Sequence, residues 1–508
     1  MDPLDRRTLL VRTGQLAVAG TALPVLAGCG EDGVATSSAT AATHPPKTAA
    51  GLAAAKRTPN IAGLRKVVKG QVFTRSTSGF AAERRIFNTR FANVVPLVVV
   101  RAASVADVQA AVKWAAYYGV PITARSGGHS YAGYSSVKGG LVVDVRSLNK
   151  IDVGKGSARI GAGNNLWAVY STLAAKGLTV PGGSCPTVGI AGLALGGGMG
   201  LAARKYGLTL DSMKAVQVVT ADGKLHNANA GSASDLYWAC RGGGGGNFGI
   251  ATQFTMQTHA APNCAYFTAS WSWAEAEAML GAWLRHAPTL SPDLTTICSL
   301  LGAGGGTPQA RMLGQFFGTE AQLRATLEPI LKDAPGGSVT YGTSGYLDLV
   351  KRWAGCYGES NAQCSAYAPQ AFNAKSSYVS KAFSSAGLKA AIRAVERPGG
   401  GDLLFDGYGG AINEVAANKT AFAHRKELAC IQYYINGSGS GPANWLKAAH
   451  DDLKPYVSTS AYSNYMDPTL SGYQTAYYGS NLPQLRKIKK KYDKNNLFKF
   501  PQGITPAS

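Results

Sequence analysis

The chain has 508 residues, 45% of them hydrophobic and only 15% charged. That is enough apolar side chain to bury large cores in two closely packed domains, and too little charge for a disordered polyelectrolyte. The net charge of +22 invites an anionic partner, but no zinc-finger spacing, RNP-like box or basic recognition helix accompanies it, which argues against nucleic acid.

The first element reads as an address. "DRRTLLVRTGQLAVAGTALPVLAGC" places Arg6–Arg7 ahead of a moderately apolar, Gly-rich run, too short for a stable spanning helix. It resembles a twin-arginine export signal. Leu26-Ala27-Gly28-Cys29 matches a bacterial lipobox, so a membrane enters only through a lipid on Cys29. The next stretch, to about Asn60, lacks large apolar residues and reads as a tether.

From Pro96 the pattern becomes α+β. "LVVV" is a buried strand by composition. Ser104 with Asp107 makes a capping box, and Val105, Val108, Val112, Ala115 and Tyr118 form a helical apolar stripe stopped by Gly119 and Pro121. "VPITA" is the next strand and delivers the chain into "RSGGHSYAGYSS". There, one histidine comes after two glycines at a strand's carboxyl end, where ligands tend to bind. Glycine lets backbone approach a ligand closely, and successive small residues can turn their N–H groups toward an anion.

Two further glycine loops lie downstream, "VPGGSCPTVGIAGLALGGGMGLAARKYGLTLDSM" from Val180 and "CRGGGGGNFGIAT" from Cys240. None is a Walker A motif, and none is a clean GxGxxG opening a helix. Three such loops in one half of a chain read as walls of one cofactor site. The later half, rich in aromatics ("WSW", "LLFDGYGGAINEV", "CIQYYI", "AYSNYMD"), reads as an antiparallel sheet with covering helices. "LRKIKKKYDK" near the end reads as a packed helix with a solvated lysine face. Besides Cys29 there are seven cysteines with no metal spacing. Cys356 and Cys364 are either a disulfide formed after export or two buried thiols.

Taken together, "RSGGHS", "GGSCPTVGIAGLALGGGMG", "RGGGGGNFGI", "YSNYMD" and "YYGSN…YDKNNLF" resemble the berberine-bridge-enzyme-like flavoproteins of the vanillyl-alcohol-oxidase superfamily, in the family's order, from about Phe87 to Ile504. The resemblance implies an α+β fold. A two-part FAD-binding domain spans 86–262, a substrate domain 263–472 and a returning C-terminal segment 473–508, after a signal (1–29) and a tether with lead-in (30–85).

It also implies FAD bonded through its 8α-methyl carbon to His129 and through C6 to Cys185. A neutral imidazole nitrogen can attack an electrophilic methide, and a thiolate can attack an electron-poor ring carbon. The cofactor site it implies takes Arg125, Ser126, Gly127, Gly128, His129 and Ser130 from the first loop. From the second come Cys185, Pro186, Thr187, Val188, Gly192, Gly196, Gly197 and Gly198, and then Tyr206, Gly207 and Asp211. Gly249, Ile250, Tyr478 and Asn481 complete it.

For catalysis the resemblance points to Tyr465 as the base that takes a substrate hydroxyl proton, with Tyr408, Gln432 and Tyr434 lining the pocket. Gln432 and Tyr434 share a strand face by period two. A lone phenol, pKa about 10, is ionised only ~10⁻³ of the time at pH 7, a cost near 4 kcal/mol, so Tyr465 needs a neighbour that stabilises its phenolate or shares its proton. Val188 resembles the oxidase members and favours O2 as acceptor. The implied activity is oxidation of an alcohol or hemiacetal carbon in an oligosaccharide, glycoside or polycyclic natural product, giving H2O2. A dehydrogenase with another acceptor, or a binding protein that merely keeps flavin, shares most of these motifs.

Overall fold

A computed structural model describes residues 57–508. The twin-arginine stretch, Cys29 and the tether up to residue 56 lie outside the described residues. The chain beyond the tether is folded from its first few residues. Asn60 caps a short helix, Ile61–Val67, whose Leu64 is fully buried, and Gln71–Phe73 pairs antiparallel with Val98–Arg101.

The lead-in strand completes a four-stranded sheet in the order Gln71–Phe73, Val98–Arg101, Leu141–Asp144, Ile122–Arg125, the last three strands parallel. The crossover helix is Val105–Tyr118, with Val108, Ala111, Val112 and Ala115 buried and Gly119 ending it at φ +63°. Ser104 Oγ accepts the Asp107 N–H. The Asp107 carboxylate, however, turns to the N–H groups of Ala103, Lys69 and Gly70 instead of closing a reciprocal box. It ties the lead-in to the helix start, a long-range bond that local spacing does not reveal.

A second, antiparallel sheet of five strands runs Ile151–Gly154, Ser157–Gly161, Ile250–Gln257, Met213–Val219, Leu225–Asn229. The later half forms a seven-stranded antiparallel sheet ordered Ser338–Gly345, Asn263–Trp271, Gln309–Phe316, Leu294–Leu301, Asp402–Gly407, Ala429–Asn436, Phe372–Val379. Helices Ala276–His286, Glu320–Asp333, Ser385–Glu396 and Ser440–Leu453 cover one face. They bury Trp283, Leu327, Ala391 and Trp445 against Cys298, Leu403, Phe405, Ile431 and Tyr433. At about 1.5–3 kcal/mol per large side chain, that layer anchors the sheet and leaves the opposite face for other work.

The C-terminal helix is Leu482–Tyr492, with proline in its first turn and Leu485 and Ile488 buried. Its lysine face is not all solvated. Lys489 is fully buried, paired with Asp493 at 2.7 Å and donating to the carbonyls of Asn247 and Phe498. Among the described residues no helix is long and apolar enough to cross a membrane, and no cluster of His, Cys, Asp or Glu could hold a metal.

Candidate active site

The bare face of the large sheet and the three glycine loops enclose one cavity of about 600 Å³. The first loop leaves its strand at Arg125, whose guanidinium forms a buried pair with Asp144 at 2.8 Å. Gly128 has φ +75°. A Cβ on Gly127 would stand 2.2 Å from the Gly189 nitrogen, so the first loop and the second touch backbone to backbone, which only glycine allows. That contact brings the His129 and Cys185 loops to the same wall.

His129 is clamped. Its ring stacks on Phe87 with centroids 3.8 Å apart and planes 20° from parallel, and Nε2 lies 2.9 Å from Thr187 Oγ1. Burial pushes the imidazole down to about 3, so it is neutral at pH 7 with one nitrogen lone pair available. Cys185 is a half-buried free thiol on the same wall. Ser126, Ser130, Thr187, Val188, Gly192 and Gly249 also line the cavity. A Cβ on Gly192 would meet nothing within 4 Å, and one on Gly245, from the third loop, would come no nearer than 3.8 Å to Gly192 Cα. These bare backbones form a trough that a flat ring system with a diphosphate fits, beside a neutral imidazole and a thiol.

Not every glycine serves that trough. A Cβ on Gly196 would strike Asn464 at 2.1 Å, one on Gly197 the Tyr462 hydroxyl at 2.6 Å, and one on Gly198 Thr209 at 2.0 Å. This run lets the second loop pack on the "YSNYMD" segment and lies off the cavity wall. Pro186, Ile250, Tyr206, Gly207, Asp211, Tyr478 and Asn481 also lie off it. Pro186 is buried and accepts the Trp167 N–H through its carbonyl, and Ile250 is fully buried core. Tyr206 stacks on His259, and Gly207 turns at φ +82° against Asp211. Asp211 pairs with buried Arg425 at 2.7 Å, Tyr478 lies 3.4 Å from the Asn247 amide, and Asn481 donates to the carbonyls of Ala417 and Thr420. Each holds segments together rather than facing the cavity.

The sheet contributes its other face. Ser299, Asp402, Leu404, Asp406, Gln432 and Tyr434 line the cavity while Leu403, Phe405, Ile431 and Tyr433 point into the helical layer. Tyr465 meets this wall. Its hydroxyl donates to Asp406 Oδ2 at 3.2 Å, and its ring stacks on Tyr131 at 5.2 Å and 14°. Burial first, then the Asp406 charge, hold the Tyr465 phenol well above its usual value. Gln432 Nε2 donates to the Tyr131 hydroxyl at 2.6 Å.

Tyr408 is placed differently from the sequence-based expectation. It is fully buried beneath the site, 3.3 Å from the Tyr378 hydroxyl, and does not reach the cavity. It comes after Gly407, where the strand ends, so the period-two alternation that exposes Asp402, Leu404 and Asp406 no longer applies.

Asp402, Asp406, Tyr131 and Phe87 are wall residues that sequence reasoning missed. The spacing of Asp402 and Asp406 in "DLLFD" was a usable signal, because period two puts both carboxyls on one strand face. Cys356 and Cys364 form a disulfide, and the chain just beyond it places Ala366, Tyr367, Ala368 and Gln370 on the cavity wall.

Known proteins are similar to this chain in sequence and in fold. A family model described as an FAD binding domain matches residues 96–229, and one described as "Berberine and berberine like" matches 461–505. The FAD-linked oxidoreductase YgaK of Bacillus subtilis is 31% identical over 449 residues, 86% of this chain and 97% of that protein. Chitooligosaccharide oxidase of Gibberella zeae is 31% identical, covering 81% of this chain and 88% of its own. The solved structure of Physcomitrella patens BBE-like 1 superposes with a TM-score of 0.82 at 32% identity, over 88% of this chain and 98% of that one. With its glycine trough, clamped histidine and two matching domains, the chain belongs to the berberine-bridge-enzyme-like FAD-linked oxidoreductases.

Proposed function

We propose that this enzyme takes hydride from an alcohol or hemiacetal carbon of an oligosaccharide, with glycosides and polycyclic natural products as the neighbouring substrate classes. The observation that carries the reading is the Tyr465–Asp406 pair on the wall of the cavity that also holds His129 and Cys185. A substrate hydroxyl seated on Tyr465 gives its proton to the phenol oxygen as Tyr465 hands its own proton to Asp406. No free phenolate forms, which matters for a phenol pushed well above its usual pKa. FAD, when bound, supplies the acceptor for the departing hydride.

His129 and Cys185 are the proposed covalent anchors of the cofactor. Support comes from the neutral, immobilised imidazole and from the free thiol on the same wall. Val188, half-buried on that wall, supports O2 as the final acceptor, reduced to H2O2 by the two electrons taken from the substrate. The similarity to chitooligosaccharide oxidase and the aromatic lining from Tyr131, Phe372 and Tyr434 support a carbohydrate substrate.

We also propose export by a twin-arginine-like route to an extracytoplasmic site, with a lipid on Cys29. Arg6–Arg7 and the Leu-Ala-Gly-Cys ending support it, and the Cys356–Cys364 disulfide suits an oxidising compartment.

The test is anaerobic bleaching of the flavin by a panel of oligosaccharides, glycosides and aromatic alcohols. Bleaching by oligosaccharides, then reoxidation with O2 and stoichiometric H2O2, is the expected result. Bleaching with no reoxidation by O2 makes the enzyme a dehydrogenase, and no bleaching by any hydroxyl compound overturns the reading.

A further inference from the structure

The strand that carries Asp406 holds a second carboxyl on the same face. Asp402 is only 9% exposed, and that remnant opens on the cavity. One of its oxygens accepts the Gly302 N–H at 3.0 Å. Among the described residues no lysine, arginine or histidine pairs with it, in contrast to buried Asp144 and Asp493 and the more exposed Asp211, each of which has a cation within 2.8 Å. Buried polar groups are normally fully hydrogen-bonded. A carboxyl with one oxygen engaged, set in a cavity wall, has capacity left for a ligand.

Its position relative to the proposed chemistry is fixed by the strand. Asp402 and Asp406 are four residues apart, ~13 Å at about 3.3 Å per residue, farther than one pyranose ring extends. Between them on the wall lie Leu404 and, across the ladder from it, Gln432. Asp402 is itself paired across the ladder with Tyr434, whose ring stacks on Phe372 at 5.2 Å and whose hydroxyl is held between Gln370 and Asn436. This end of the cavity therefore offers a carboxyl and a rigid aromatic pair, the combination that grips a hydroxyl-rich ring with an apolar face.

We propose that Asp402 is a specificity-determining residue that hydrogen-bonds a hydroxyl-bearing unit of the substrate remote from the unit oxidised at Tyr465. The enzyme accordingly selects chains of two or more linked sugars over the free monosaccharide. The inference rests on the oligosaccharide reading under Proposed function. Burial lifts the Asp402 carboxyl to about 7, which agrees with a role that hydroxyl groups satisfy in either protonation state, since the ionised carboxyl accepts from them and the neutral acid also donates.

The experiment compares wild type, Asp402→Leu and Asp402→Asn with β-1,4-linked glucose and N-acetylglucosamine as monosaccharides and trisaccharides. KM and the limiting rate of anaerobic flavin reduction are measured for each, and trisaccharide binding to the chemically reduced holoenzyme is monitored by calorimetry. Asp402→Leu is expected to raise KM, and the dissociation constant in the reduced enzyme, at least tenfold for the trisaccharide that wild type prefers. It should leave the monosaccharide KM within twofold and the limiting reduction rate within threefold. Asp402→Asn, which keeps hydrogen-bonding atoms in place, should recover most of the loss. Equal changes for mono- and trisaccharide, or no change for either, overturn the assignment of Asp402 while leaving the proposed oxidation intact. Failure of every sugar to bleach wild-type flavin overturns both.

Discussion

The Tyr465 hydroxyl donates to Asp406 Oδ2 across 3.2 Å, joining the "YSNYMD" segment to the middle of the seven-stranded sheet. It couples a phenol to the group able to take its proton. Tyr465→Phe removes one oxygen and leaves the ring on Tyr131. Loss of a positioned acid–base group lowers rates by ~10²–10⁴, about 3–5 kcal/mol. The expected result is flavin reduction slowed by that range in stopped flow, with substrate affinity nearly unchanged and reoxidation by O2 unaffected. Asp406→Asn should fall in the same range, and the double variant should be little worse than either single one. Reduction within threefold of wild type in Tyr465→Phe would place the base elsewhere.

Protein precipitated with acid should remain yellow, because two bonds are proposed to hold the cofactor. His129→Ala and Cys185→Ala should each retain flavin in the pellet through the other bond, with distinct absorption spectra, and the double variant should release it all. Release from wild type would remove the covalent proposal.

Asp402 makes stability depend on pH in a defined direction. Its folded value, about 7, lies above the ordinary 3.8 because burial disfavours the charge. The folded state therefore binds a proton that the unfolded state has already lost between these two values, and stability falls as pH rises through that window. The full rise corresponds to about 4 kcal/mol as an upper figure. Asp402→Asn should accordingly unfold at a higher temperature than wild type at pH 8, with the advantage gone near pH 4. A difference that grows on acidification would contradict the burial of an uncompensated carboxyl.

The Cys356–Cys364 bridge closes a short loop, eight residues apart in sequence, just before the wall residues Tyr367 and Gln370. A loop of this length contributes about 2–3 kcal/mol in the chain-entropy account. Replacing both cysteines with serine should lower the unfolding midpoint and raise substrate KM, leaving the flavin spectrum alone. An unchanged KM would show that the bridge does not support the cavity wall.

Replacing Arg6 and Arg7 with lysine should trap flavin-loaded precursor inside the cell, as seen by fractionation and in-gel flavin fluorescence. Normal export of that variant would exclude the twin-arginine route.

The class of fold and the loops that meet at the cavity were legible in the sequence. Strand, crossover helix and glycine turn are local signals, written in the apolar stripe from Val105 to Tyr118 and in Gly127 and Gly128 around their strand end. That Gln432 and Tyr434 share the cavity wall followed from their period-two face, whereas His129 and Cys185 stood out through the motifs that resemble the family, and all four line the cavity. Other features exist only once distant segments meet. Whether a glycine bares backbone to the cavity, as Gly192 does, or admits a neighbouring side chain, as Gly196 does with Asn464, depends on where distant segments lie, Asn464 being more than 260 residues away. Asp406 becomes Tyr465's partner only because the sheet and the C-terminal segment fold onto each other, and Asp402 becomes a carboxyl near neutrality only because burial strips its water and no lysine, arginine or histidine among the described residues pairs with it. Electrostatics and close packing depend on distance in space, and separation along the chain carries little information about either.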